Sequence, residues 1–237
     1  QPIELIRSAH QSVLRDVGLK SLEDAASGNL SLQGVKTSAL ASVSRWQAAS
    51  EVVRGMRPTL AGDAMDRLAK FDTMVGAWRA LASQRLAHPA PSGQRLVVLD
   101  TSALMQVPDL LSTMRRGDIP VVPRRVLEEL DGIKESAEED KAQKARSAIR
   151  SLERAGQGVN YESEVLDLLP PDWEPTSDNR ILSVALYLRL SDVLVVTGDR
   201  NFRNKARAEN IAAMLPEEYR GVSPNQGGRR DTGRGRR

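Results

Sequence analysis

The chain has 237 residues, of which 40% are hydrophobic and 27% charged, the balance of a folded globular protein long enough to bury a sizeable core in one large or two small domains. It contains no cysteine, which excludes disulfide frameworks, thiolate metal sites and cysteine nucleophiles. Its two histidines, His10 and His88, lie far apart and argue against a histidine acid–base pair or a histidine-rich metal site. The net charge of +3 is uneven: residues 1–92 carry 11 basic and 8 acidic side chains, residues 93–219 carry 17 and 22, and residues 220–237 carry 6 and 1.

No apolar run approaches the roughly 20 residues that a membrane-spanning helix needs, and Glu4 and Arg7 interrupt the apolar residues at the start, where a secretory core would lie. The expectation is a cytoplasmic protein with no membrane contact. Residues 1–87 read as an all-α bundle. In IELIRSAHQSVLRDV, Ile3, Ile6, Val13, Leu14 and Val17 recur at helical spacing. SLEDAAS opens on Ser21 and Asp24 in the manner of a capping box, and Gly28 stops it. A long helix is expected over 36–56, ending before Pro58. Another is expected over 60–86, with Leu68, Phe71, Met74, Val75, Trp78, Leu81 and Ala82 as its apolar stripe. That stripe reads as core rather than as a binding box. HPAPSGQ, residues 88–94, is a linker by its two prolines and glycine.

From residue 95 the pattern alternates. RLVVLD and IPVVP (119–123) read as short buried strands, and RRVLEELDGIK and a charged stretch over 141–154 as helices. EVLDLLP (164–170) is a strand candidate, SDNRILSVALYLRL a helix, VLVVTG (193–198) a strand, RNFRNKARAEN a helix and IAAML a final strand. Uniformly apolar short strands separated by helices predict a parallel sheet covered on both faces, an α/β/α domain over 95–219. Residues 220–237, ending GGRRDTGRGRR, read as a disordered Gly/Arg-rich tail.

In such sheets ligands bind beyond the C-terminal strand ends, where the strand order reverses. Asp100 ends one strand and Asp199 lies two residues past the VLVVT run of another. At 100° per residue, Asp178 shares the side of its helix that carries Ile181, Leu182, Ala185 and Leu188. Glu129 borders the apolar face of Val126, Leu127, Leu130 and Ile133, whereas Glu128 points nearly opposite. Each acid has a plainer reading: Asp178 as a helix cap, Asp199 as a cap or turn residue, Glu129 as a solvated charge. Asp100 is harder to dismiss, because a strand ending Asp-Thr-Ser has no obvious need for a carboxylate. Four carboxylates gathered with few basic partners raise each other's pKa. A divalent cation relieves that repulsion, and oxygen-only ligands suit Mg²⁺ or Mn²⁺.

The motifs D-T-S-A-L after an apolar strand, V-x-P-x-x-V-L-E-E-L-D-G-I-K, S-D-N-R-I-L-x-x-A-L and V-V-T-G-D-R-N-F-R-N-K-A occur in this order, and the set resembles PIN-domain nucleases. It is most similar to the PIN domains attached to PhoH-type ATPases and to that of the nonsense-mediated-decay endonuclease, with VapC toxins more distant. The resemblance covers about residues 95–219 and implies a metal-dependent endoribonuclease acting on single-stranded RNA with one or two Mg²⁺ or Mn²⁺ ions. It carries the family's acidic site onto Asp100, Glu129, Asp178 and Asp199. Thr101, Ser102 and Asn201 are expected in support, and Asp131 is a candidate accessory acid. Arg180, Arg200, Arg203, Lys205 and Arg207 are candidates for gripping the RNA backbone, against the alternative of a solvated face with helix ion pairs. Two rival readings stand beside it: a silent PIN-like RNA-binding or scaffold module, and a structure-specific DNA nuclease. The helical region is expected to mediate dimerisation or to dock a protein partner.

Overall fold

The structure, a computed structural model, describes residues 2–36, 38–56, 62–87 and 90–221. Four helices come first: α1 (Pro2–Asp16), α2 (Leu19–Ala26), α3 (Ala39–Arg54) and α4 (Gly62–Arg85). Their apolar stripes meet in a core that includes Val13, Leu22, Val43, Trp46, Phe71, Val75 and Trp78, all buried. The polar groups trapped with them are paired, as burial requires. The Asp72 carboxylate accepts hydrogen bonds from Trp46 Nε1 at 2.6 Å and Ser50 Oγ at 2.7 Å, and Asp16 accepts one from Ser42 Oγ at 2.5 Å.

The capping-box reading of Ser21 does not hold. Helix α2 is capped three residues earlier, with Gly18 at its N-cap at positive φ (87°), which glycine adopts without steric cost. Ser21 instead faces the core, where it receives the Trp78 indole N–H at 3.1 Å and donates to the Ser31 carbonyl.

Five strands follow, β1 (Arg95–Leu99), β2 (Asp118–Pro123), β3 (Asn160–Glu162), β4 (Asp192–Val196) and β5 (Ala212–Met214). They form one sheet in the order β3-β2-β1-β4-β5 with every pairing parallel. Burial explains the sequence of its centre: Val97, Val98 and Leu99 on β1 and Val195 and Val196 on β4 are fully enclosed, because helices cover both faces. Those helices are α5 (Thr101–Gln106), α6 (Arg124–Lys134), α7 (Glu139–Ala155), α8 (Ser177–Tyr187), α9 (Arg200–Ala208) and α10 (Pro216–Gly221). The architecture is thus the expected three-layer α/β/α domain preceded by helices.

Three elements differ from expectation. The third strand is Asn160–Glu162 rather than EVLDLLP, within which residues Leu166–Leu168 form a single 3₁₀ turn. An edge strand pairs on one side only, so this polar segment carries no apolar signature, whereas Leu168 is buried as a core contact without being a strand residue. Helices α5 and α10 have no counterpart among the expected elements, each being only six residues long, and a single residue, Asp100, separates α5 from β1. Of the expected linker, residues 88 and 89, including His88, lie outside the described residues, as does the Gly/Arg-rich segment from residue 222. No helix among the described residues is long and apolar enough to cross a membrane.

Candidate active site

The strand order places β1 and β4 side by side while their following connections lead to opposite edges of the sheet. That is the switch point at which a crevice opens beyond the carboxyl ends of the strands. A cavity of about 590 Å³ lies there, and Asp100, Glu129, Asp178 and Asp199 all line it. Each comes from a different element: the end of β1, the middle of α6, the first turn of α8 and the turn after β4.

Asp100 is only 6% exposed. Its carboxylate accepts hydrogen bonds from Ala103 N at 2.8 Å, Thr197 Oγ1 at 2.6 Å and Ser102 Oγ at 2.9 Å. It therefore has the local role that a strand reading could not supply, as the N-cap of α5. Burial nevertheless pushes its pKa up to about 6; the three donors oppose the shift and the nearby Glu129 charge adds to it. Ser102 also receives Gly198 N–H at 2.8 Å, and Thr197 Oγ1 receives Asp199 N–H at 2.9 Å. The two hydroxyls thus tie the ends of β1 and β4 to a single carboxylate.

Glu129 accepts hydrogen bonds from the hydroxyls of Thr101 and Ser177, with Arg125 Nε at 3.6 Å. Thr101 therefore supports Glu129 rather than Asp100. Asp178 is not the cap of α8; Thr176 is, accepting from Asn179 N. The Asp178 carboxylate has no hydrogen bond among the described residues and meets Lys205 Nζ at 3.8 Å. Burial raises its pKa, Lys205 opposes this, and the charges of Asp199 and Glu129 add to the rise. Asp199 caps α9 through Phe202 N at 2.9 Å, using one carboxylate oxygen and leaving the other open. Its capping and site readings are compatible.

The other candidates are less concentrated. Asp131 is exposed, pairs with Lys134 at 2.8 Å and does not line the cavity; Asn201 is exposed on α9 and does not line it either. Arg180 bonds the Pro175 carbonyl and Glu164 at 2.9 and 2.8 Å. Arg203 donates to the Thr197 carbonyl at 2.9 Å and Arg207 to the Ala213 carbonyl at 2.9 Å. Lys205 reaches Asn179 Oδ1 at 2.9 Å, and Arg200 is exposed. Sequence reasoning overlooked Thr197 and Ser177, although each adjoins a motif acid or lies two residues from one. It also overlooked Lys141 and Lys144 of α7, which line the same cavity.

The donor chemistry fits a hard divalent cation, since the cavity offers carboxylates and hydroxyls with neither thiolate nor imidazole, the Met105 thioether being its one sulfur. Among the described residues no three acidic side chains are gathered tightly enough to hold an ion unaided.

A comparison with curated proteins returned no match. A family model described as the PIN domain matches residues 97–217, a span that includes all four acids and the whole sheet except the first two residues of β1. With just over half of the chain matched and the parallel sheet and acid-lined crevice in place, the chain belongs to the PIN-domain family, whose members are usually nucleases.

Proposed function

We propose that the protein is a metal-dependent endoribonuclease that hydrolyses phosphodiester bonds of single-stranded RNA in the cavity at the end of β1 and β4. The observation that carries the reading is the convergence of four carboxylates from four elements on one cavity, with two of them raised in pKa. Gathering acids around one cavity is unfavourable unless a cation joins them. Asp100, Glu129, Asp178 and Asp199 would hold it.

The chain's own contribution is positioning. Ser102 and Thr197 hold the Asp100 carboxylate across the two strand ends, and Thr101 and Ser177 hold Glu129 in the same way. Asp178 and the second oxygen of Asp199 stay open to water and substrate. When bound, a divalent ion lowers the pKa of water and offsets the charge that builds on the phosphate. No histidine is required.

The test is cleavage of labelled single-stranded RNA in Mn²⁺ or Mg²⁺, beside single- and double-stranded DNA, with Asp100→Asn as control. RNA cleavage that is lost in the variant and in chelator is expected. Equal cleavage by the variant means that the site is elsewhere. RNA binding without cleavage by the parent favours a silent scaffold, and preferential DNA cleavage a DNA nuclease.

A further inference from the structure

A polyanionic substrate entering a cavity lined by Asp100, Glu129, Asp178, Asp199 and Glu217 meets repulsion, so positive charge is needed within reach. Four of the five cations that flank the motif acids are already engaged within the fold: Arg180 with Glu164, Arg203 and Arg207 with backbone carbonyls, and Lys205 with Asn179 and Asp178. Arg200, the fifth, does not line the cavity. The cavity's own cations come from α7. Lys141 and Lys144 are three residues apart and share a helix side.

The placement of that pair follows from packing. Ala142, Ala145 and Ala148 have no exposed surface, and these small side chains bring α7 close to α5 and α6. The neighbouring lysines then line the cavity. Their present partners are Glu138 at 2.6 Å and Asp140 at 2.7 Å, within the same helix terminus, and all four side chains are more than half exposed. Exposed pairs of this kind contribute little, so both ammonium groups can exchange carboxylate for phosphate.

We infer that Lys141 and Lys144 form the phosphate-binding wall of the site, gripping backbone phosphates next to the scissile one on a single-stranded nucleic acid. This assignment rests on the nuclease reading of the same cavity. It places the substrate between α7 and the strand ends rather than along α9.

The experiment measures binding of a fluorescent single-stranded oligouridylate to the full chain carrying Asp100→Asn, in Mg²⁺, over a salt series. Removing two phosphate contacts lowers the slope of log affinity against log salt by about 1.4. Lys141→Ala/Lys144→Ala is therefore expected to show that drop and about tenfold weaker binding at low salt. Lys141→Arg/Lys144→Arg is expected to retain the parent slope, and Arg207→Ala to change it little. In the cleaving chain, the alanine pair is expected to raise KM more than it lowers kcat. A slope that the alanine pair leaves unchanged, in a parent that binds, overturns the α7 assignment and leaves the nuclease reading standing. A parent that binds no single strand overturns both.

Discussion

Asp100 and Asp16 are both buried acids, at 6% and 1% exposure, yet their surroundings drive them in opposite directions. Burial pushes Asp16 up, but the Arg15 guanidinium and the Ser42 and Ser38 hydroxyls outweigh it and hold its pKa well below the usual 3.8. Its contribution to stability is present above about pH 4 and is lost as pH falls. Asp100 has the reverse sign. Its folded pKa of about 6 exceeds the ordinary 3.8, so the fold binds the proton more tightly than the unfolded chain. Stability therefore declines as pH rises from about 4 to 6 and stays reduced above. Asp100→Asn, measured by urea unfolding in chelator at pH 7.5, is expected to stabilise the chain by about 1–2 kcal/mol while it removes cleavage. The gain is less than the whole shift because an amide cannot accept all of the hydrogen bonds that the carboxylate does. Unfolding at lower urea than the parent would contradict an electrostatically strained site. At pH 4 the two chains should differ much less.

Between elements, the site depends on ties that cross from one helix or strand to another. Ser177 at the start of α8 donates to Glu129 on α6 and accepts from Arg125 of α6 at 2.8 Å. Groups that orient a ligand from behind typically affect metal affinity or activity by about 10–100-fold. Ser177→Ala should accordingly raise the Mg²⁺ concentration for half-maximal cleavage by about that factor, with the unfolding midpoint almost unchanged. A normal Mg²⁺ response would show that Glu129 needs no such support. The alanine stripe of α7 is tested by overpacking. Ala145→Leu inserts three carbons where there is no exposed surface, at a cost of about 1–3 kcal/mol. Calorimetry should detect a lower Tm. An unaltered Tm would mean that α7 is free to move outward.

Across the whole molecule, Arg189 joins the helical region to the α/β/α domain. It lies just beyond α8 and is 1% exposed; its guanidinium donates to the Leu32 carbonyl and to the Glu209 carbonyl at 3.1 Å, and meets the Glu209 carboxylate at 3.5 Å. Burial lowers its pKa to about 10, with Glu209 opposing the shift. Ala87 N–H to the Tyr187 carbonyl at 3.0 Å and Asn210 to the Gly34 carbonyl at 3.2 Å add to this junction. Removing one partner of a buried pair strands the other and costs about 3–5 kcal/mol. Arg189→Met is expected to destabilise the chain by about 3 kcal/mol in denaturant unfolding and to separate the helical and sheet transitions. A single transition at the parent midpoint would show that the two parts do not rely on this junction.

The strong helices and central strands were legible in the chain because their burial is regular: period 3.6 in α4 and unbroken apolar runs in β1 and β4 mark residues enclosed whatever their partners. The four acids were legible for a related reason, since each stands at the end of such a pattern or on its border, where a carboxylate is conspicuous. What one sequence could not determine were matters of three-dimensional proximity. The polar edge strand β3 is a strand only because β2 lies beside it. Thr101 serves Glu129 rather than its chain neighbour Asp100 because α6 brings that glutamate to it. The flanking arginines lose much of their freedom to carbonyls and carboxylates supplied by the fold, while Lys141 and Lys144, distant in sequence from the first and last acids, reach the same cavity through close packing of α7. Local sequence sets which faces are buried; the neighbours that a charge or hydroxyl meets depend on chain crossings, and only the folded sheet decides those.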